Sequence, residues 1–453
     1  MKSTRRIKPL KLPHKKVHVH NFGDATPEGW SPCVIDQNLI FQPDALASYF
    51  FKNREPLIYD AFTIAAAVEY CDYCHARPSK GWGREFTISV PVDSPRHWGS
   101  KEVCEPLISA LNKLTGDKWN IDFRERSFEF EWPAQVVLEL EGYTEAILAY
   151  SDGLDSLSVS GISSHQYGDK LVRVRLGSRE DSKNKPFVAV PYKVYQRGDS
   201  KESSGRSRGF KFAVLSGAAS YLSGAERVIV TESGQGALGP ALVPVSHASI
   251  DYRNHPVFFS QMERLFSALF EKSIHFSFPR LWNTKGETLE KYVALTHDKT
   301  DWQKTRSCWR GARQTSVEGK RRQCGICAAC FLRRMSVHAA GLTEQVDTYL
   351  WHDLNAEKFE EGAAKNRDAM HDYKAHRKYA VAGMAHLKDM AKIHRRPSEK
   401  SSLELHALQL ARLLGMDHDE AMRKQILLLQ KHEYEWEQFL SSLDPRSFLM
   451  KWV

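Results

Sequence analysis

The sequence predicts an α/β protein built around a parallel β-sheet. Three observations carry that prediction. Between Ala146 and Phe278, short apolar runs alternate with helical patterns, the arrangement of a parallel sheet wrapped by helices. Before that stretch the pattern is mixed, and after Gly341 almost no strand pattern is left. The chain therefore divides into an α+β N-terminal domain (1–143), a central α/β domain (144–342) and a helical C-terminal region (343–453). A length of 453 residues agrees with about three domains at roughly 150 residues each.

Composition narrows the class. The apolar share is 42% and the charged share 26%, which excludes collagen-like, mucin-like and fully disordered chains. No stretch approaches the ~18 unbroken apolar residues of a membrane helix, so no membrane partner is expected. The first twenty residues lack the apolar core of a signal peptide, and a cytoplasmic location is expected. Four of the eight cysteines crowd into one region, which points to metal rather than disulfides. The net charge of +9 permits a nucleic-acid or phosphate partner without requiring one, since a solvated surface accounts for it equally.

In the N-terminal segment, Phe62 to Tyr70 reads as a helix and Glu85 to Val92 as a strand. Lys101 to Leu114 reads as a helix closed by Thr115-Gly116. Phe128, Phe130 and Trp132 alternate with Glu129 and Glu131, a half-buried strand pattern. Ala146 to Tyr150 is a continuous apolar run, as in a strand buried on both faces. Leu171–Leu176, Arg227–Thr231 and Ile274–Phe278 are the next strands. Helices fall between them at Phe210–Leu222, closed by Gly224, and at Pro256–Lys272, where Phe259, Met262, Phe266 and Leu269 share a stripe. Gly177–Lys185 is polar, and Gln196–Arg208 is so rich in Ser, Gly and charge that it reads as a mobile loop above the sheet. In the C-terminal region Leu405, Leu408 and Leu413, then Leu427, Leu428 and Leu429, read as core stripes. The basic stretch Met370–Arg396 reads as a solvated helix face, or as a groove for an anionic partner.

The first chemical constellation is Ser151-Asp152-Gly153-Leu154-Asp155-Ser156, placed where the first buried strand ends and a helix begins. Open α/β sheets bind ligands at such strand ends. Successive backbone N–H groups there form an anion cradle, and the helix N-terminus adds a favourable field. Gly153 lets the backbone come close, Ser151 and Ser156 offer hydroxyls, and Asp155 can hold Mg²⁺ or cap the helix. A plain helix start accounts for the same Ser and Asp residues. A Walker loop is absent.

The second constellation is Cys308, Cys324, Cys327 and Cys330, spaced C-x15-C-x2-C-x2-C. Four thiolates suit Zn²⁺ in a closed structural site. An iron–sulfur site is the alternative, without a ferredoxin-like context to support it. Cys71 and Cys74 form a separate C-x2-C that reads as buried helix-end thiols.

Together these features resemble the PP-loop ATPases, which carry a Ser-Gly-Gly-x-Asp-Ser turn after their first strand. Among these they resemble the QueC family, the 7-cyano-7-deazaguanine synthases, with its SC…CGxCxxCxxR zinc pattern. That pattern reads here as Ser307-Cys308, then Cys324-Gly325-Ile326-Cys327-Ala328-Ala329-Cys330-Phe331-Leu332-Arg333. Ser207-Arg208-Gly209-Phe210, Glu232-Ser233-Gly234 and Thr284-Lys285-Gly286-Glu287 match further family segments in the same order. The chain departs from the family in two ways. Asp152 replaces a glycine of the turn, and a carboxylate there repels pyrophosphate unless Mg²⁺ intervenes. Residues 1–143 and 343–453 flank the core, a layout similar to the extended QueC-like proteins of bacterial Qat anti-phage defence systems.

The resemblance implies a PP-loop (adenine nucleotide alpha-hydrolase-like) core that uses ATP with Mg²⁺ and carries structural Zn²⁺. Ser151 to Ser156 would hold the nucleotide's phosphates. Lys285 and Arg208 would stabilise charge on phosphate or substrate, and Glu232 would orient one of them. The substrate would be a 7-deazaguanine carboxylate, activated as its adenylate and attacked by an amine. The flanking segments suggest an amine on a protein partner of the defence system. The alternatives are ammonia as acceptor, giving the nitrile, and a non-catalytic nucleotide-binding scaffold. A tRNA-modifying PP-loop enzyme would suit the basic charge but not the four-cysteine pattern.

Overall fold

Burial on both faces decides the central sheet. In the computed structural model, which describes residues 12–79, 81–127, 144–177, 187–195, 202, 205–246, 248–311, 314–365 and 373–452, five parallel strands lie side by side. Their order is His275–Ser277, Arg227–Ile229, Ala146–Ala149, Leu171–Leu176, Val188–Val190. Ala146, Ile147 and Leu148 are fully buried. Ala146 and Leu148 pack with Val159 of the Leu154–Tyr167 helix. Ile147 points the other way, into the large core that includes Val214 and Ala218 of the Arg208–Ser223 helix. Alternate residues thus bury on opposite faces, which is why the run reads as continuously apolar.

Strand order fixes where a ligand can sit. From Ala146–Ala149 the chain adds strands on one side, then returns to add Arg227–Ile229 on the other. The reversal opens a crevice at the carboxyl ends of these two central strands. Ser151–Ser156 follows the first of them and Thr231–Ser233 follows the second.

The N-terminal segment is mixed α and β, and its main strands also pair in parallel. Their order is Ser31–Val34, His14–His20, Glu85–Val92, Lys118–Glu125. The strand at Glu85–Val92 lies where expected, as does the Lys101–Thr115 helix, which Gly116 ends with φ 69°. The expected Phe62–Tyr70 helix is the middle of a longer one, Pro56–Cys74. One hydrophobic core runs through both sheets. The Pro56–Cys74 helix packs on Arg208–Ser223, and Lys101–Thr115 packs along Pro256–Phe270. The strand Leu39–Phe41 pairs antiparallel with Tyr192–Val194.

Two expectations change. Leu405, Leu408, Leu413 and Leu427 do not form core stripes: Leu405 is 68% exposed and Leu427 50%. The buried face of the Lys400–Leu414 helix is Leu403, Ala407, Leu410 and Ala411, while Leu428 and Leu429 of His418–Ser441 are buried. Ala407 and Ala411 pack with Ala421 of the His418–Ser441 helix, so small side chains line the contact while Leu405, Leu408 and Leu413 face outward. The end of the loop expected at Gln196–Arg208 is fixed: the N–H groups of Arg206 and Ser207 both donate to Asp72 Oδ2, at 2.6 and 2.8 Å, and Arg208 begins a helix. The strand expected around Phe128–Trp132, the polar stretch after Gly177, most of Gln196–Gly205 and Met370–Asp372 lie outside the described residues. Beyond them, Tyr373–Lys392 is a helix whose buried face includes Ala380, Gly383, Met384 and Leu387. Among the described residues no helix is long and apolar enough to cross a membrane.

Candidate nucleotide site and metal centre

The turn after the first central strand is held by short polar side chains. Ser151 and Ser156 hydroxyls lie 2.9 Å apart, and Gly153 N–H donates to Ser151 Oγ at 3.3 Å. Ser156 Oγ also meets Thr231 Oγ1, across the crevice, at 3.2 Å. The helix begins at Leu154. Its side chain is buried with Leu289, Tyr292 and Trp302, so Leu154 offers a ligand only its backbone.

Asp155 is where three strand ends converge. Ser233, from the turn after the second central strand, donates its hydroxyl to Asp155 Oδ1 at 3.0 Å. Lys285, first residue of the Lys285–Thr296 helix, pairs its Nζ with Asp155 Oδ2. That helix starts in a capping box: Glu287 N–H donates to Thr284 Oγ1 at 3.0 Å, and Thr284 N–H donates to Glu287 Oε2 at 2.9 Å. Burial alone would discharge Lys285, but Asp155 and Glu232 hold its pKa above the usual lysine value.

The four-cysteine cluster, the candidate metal centre, lies beside this turn. The ligand sulfurs of Cys308, Cys324, Cys327 and Cys330 all lie within 4.8 Å of one another. Cys324 and Cys330 sulfurs are 3.7 Å apart. Four thiolates ~2.3 Å from a tetrahedral zinc ion would stand about 3.8 Å apart. Backbone N–H groups of Cys324 and Arg310 donate to Cys308 Sγ at 3.2 and 3.3 Å, and Cys327 N–H donates to Cys324 Sγ at 3.3 Å. Donors aimed at sulfur favour the thiolate, so this set fits zinc. Gly325, at φ 82°, turns the chain where a Cβ would stand 2.6 Å from Trp351 O.

Residues 246–341 match the family model described as queuosine biosynthesis protein QueC. This QueC-like segment contains Thr284–Glu287 and all four cysteines, while Ser151–Ser156 and both flanking regions lie outside it. No curated protein and no solved structure matches the chain. The QueC-like segment is tied to the turn by backbone: Arg306 N–H donates to Asp152 O at 2.6 Å. Gln323, next to Cys324, fixes that strap by accepting from Ser307 N–H at 2.8 Å and donating to Thr305 O at 3.3 Å.

The remaining sequence candidates stand as follows. Asp152 is turned outward, with its side chain 65% exposed, and Arg175 clamps its two oxygens at 2.5 and 2.8 Å. Glu232 lies against Asp155, and Asn254 donates to its Oε2 at 2.7 Å. Burial first, then the Asp155 carboxylate, push the Glu232 pKa up to about 8, against the pull of Lys285. Arg208 reaches solvent and lies over Phe212, 5.5 Å from the ring centre. Its pKa is lowered by the crowding of protein around it and by nearby Arg253, while Glu232 acts in the opposite sense. Cys71 and Cys74 end the Pro56–Cys74 helix, Cys71 fully buried and Cys74 partly so.

Sequence reading did not single out Arg175, Thr231, Asn254 or Gln235. Arg175 had a signal: Arg173 and Arg175 alternate with apolar residues in Leu171–Leu176, so they share a face. Thr231, Asn254 and Gln235 had none, because only the folded crevice brings them to the turn.

Proposed function

We propose that the chain is a PP-loop ATP-using enzyme that adenylates a 7-deazaguanine-type carboxylate and joins it to an amine. The observation that carries this is the convergence of Ser233 and Lys285 on Asp155, at the mouth of the sheet and beside a four-cysteine centre. In this reading the Ser151–Ser156 turn receives the β- and γ-phosphates. Asp155 and Glu232 are the carboxylates that would hold Mg²⁺, which neutralises charge on the phosphates. Arg175 already neutralises Asp152, which supports phosphate binding beside it. Lys285 stabilises the departing pyrophosphate, and Arg208 the substrate carboxylate.

A substrate carboxylate oxygen attacks the α-phosphorus and pyrophosphate leaves. The amine nitrogen then attacks the acyl carbon, AMP leaves, and the nitrogen loses a proton to give an amide. Zinc held by Cys308, Cys324, Cys327 and Cys330 would brace the strap from Thr305 to Cys308, whose Arg306 N–H donates to Asp152 O. We further propose that the acceptor amine belongs to a protein partner and that the chain serves in bacterial anti-phage defence, as in the extended QueC-like proteins called QatC. The flanking regions around a core sufficient for chemistry support a large acceptor.

The test is incubation with ATP, Mg²⁺ and 7-deazaguanine-7-carboxylic acid, together with intact-mass analysis of coexpressed partners. One AMP and one pyrophosphate per amide, and a partner that gains the acyl mass, are expected. Free nitrile with an unmodified partner would replace this reading with a nitrile synthase using ammonia. Nucleotide binding without AMP would replace it with a scaffold.

A further inference from the structure

The C-terminal helix His418–Ser441 lies outside the QueC-like segment, yet its side chains reach the turn that carries Lys285. Glu435, 7% exposed, accepts from the Thr284 hydroxyl with Oε1 and from Gln235 Nε2 with Oε2, the latter at 3.0 Å. Gln235 Oε1 in turn accepts the backbone N–H of Lys285 at 2.7 Å. His432, one turn earlier on the same helix, stands 3.0 Å from Gln235 Nε2 through Nδ1 and meets Leu387 O at 2.9 Å through Nε2. Lys431 pairs with Glu287 at 2.6 Å. One helix therefore grips both turns that aim side chains at Asp155: the one carrying Ser233 and the one carrying Lys285.

Two glycines give an independent view of the same grip. A Cβ on Gly286 would stand 2.7 Å from Glu435 Oε1 and 2.9 Å from Ala339 Cβ. A Cβ on Gly234 would stand 2.6 Å from Leu428 Cδ2 and also meet Leu281 O. The close approach of the C-terminal helix thus helps explain glycine in both turns. A surface helix that only shielded the core would have no need of a buried carboxylate aimed between them.

We infer that Glu435 is a positioning residue of the nucleotide site, holding Thr284, Lys285 and Gln235 so that Lys285 and Ser233 meet Asp155. The inference rests on the reading of Ser151–Ser156 as a phosphate site. Both partners of Glu435 donate, so the position needs two acceptors. Glutamine has the same shape and only one acceptor.

The full-length protein is compared with Glu435→Gln, Glu435→Asp and Glu435→Ala in two measurements. Without nucleotide, hydrogen exchange in peptides covering 233–236 and 284–287 should be about tenfold faster in Glu435→Gln, with the Ala146–Ala149 strand and the zinc content unchanged. By calorimetry, Mg·ATP should bind Glu435→Gln about tenfold more weakly, or about 1.4 kcal/mol. Glu435→Asp should recover part of both effects. Wild-type exchange in both peptides of Glu435→Gln would overturn the inference. Faster exchange with wild-type affinity would overturn it too, leaving Glu435 a packing residue. If the wild-type protein binds no Mg·ATP, the proposed function falls, and the exchange measurement alone decides whether Glu435 positions the turns.

Discussion

Asp155 carries more of the site than any other side chain, because it compensates a buried cation. Lys285 is 7% exposed and pairs with Asp155. Removing one partner of a buried pair leaves the other uncompensated, at a cost of about 3–5 kcal/mol. Asp155→Ala should therefore lower the melting temperature and abolish the further rise that Mg·ATP gives the wild type; a calorimetric scan with and without nucleotide measures both. Glu232 makes a pH prediction. Its folded pKa is raised to about 8, so the protonated form favours folding. That contribution is complete below the ordinary value near 4.5 and is lost as pH rises through about 8. Melting temperatures from pH 6 to 9 should fall in the wild type, and the fall should be shallower in Glu232→Gln. At Asp152 a glycine would remove one charge and release Arg175, so Asp152→Gly should bind pyrophosphate more tightly in a calorimetric titration. Asp155, Lys285 and the four cysteines were legible because their signals are local in sequence. Arg175 on Asp152 and Glu435 on Thr284 were not: alternation in Leu171–Leu176 gives Arg175 a face but names no partner, and nothing around Glu435 marks it as facing Thr284.

At the scale of elements, the four-cysteine strap and the Ser151–Ser156 turn form one mechanical unit. The sulfurs order Ser307–Arg310, Gln323 fixes the strap, and Arg306 N–H reaches Asp152 O. Cys327→Ser should lose the metal, because metal binding is coupled to folding. It should also weaken Mg·ATP binding, although Cys327 touches no part of the turn; elemental analysis and calorimetry on the same preparation check both. Four of the five strands of the central sheet were legible to within a few residues, because burial on both faces leaves a run of apolar side chains; the three-residue edge strand Val188–Val190 was not. His14–His20 and Lys118–Glu125 were not, since they carry charged residues and are buried only in part. The leucines at 405, 408, 413 and 427 misled for the opposite reason. Hydrophobicity marks a buried face only when no closer-packing face competes, and Ala407 and Ala411 supply one.

At the scale of the molecule, the N-terminal segment is joined to the rest by core, by sheet and by a cap. Asp72 accepts the N–H groups that open the Arg208–Ser223 helix, while Arg84 and Arg77 hold its carboxylate. A chain beginning at Thr144 would lose that cap and expose the helix face packed on Pro56–Cys74. We expect it to melt well below the full-length protein, as read by circular dichroism. The same attachments have another consequence. Tyr195 N–H donates to Asn38 O, and Glu202 N–H donates to Tyr73 O, so the N-terminal segment clasps the chain on both sides of residues 196–201. Both stitches are backbone bonds to the same body, so a single cut in the chain between Tyr195 and Glu202 would leave both new ends tied to the N-terminal segment.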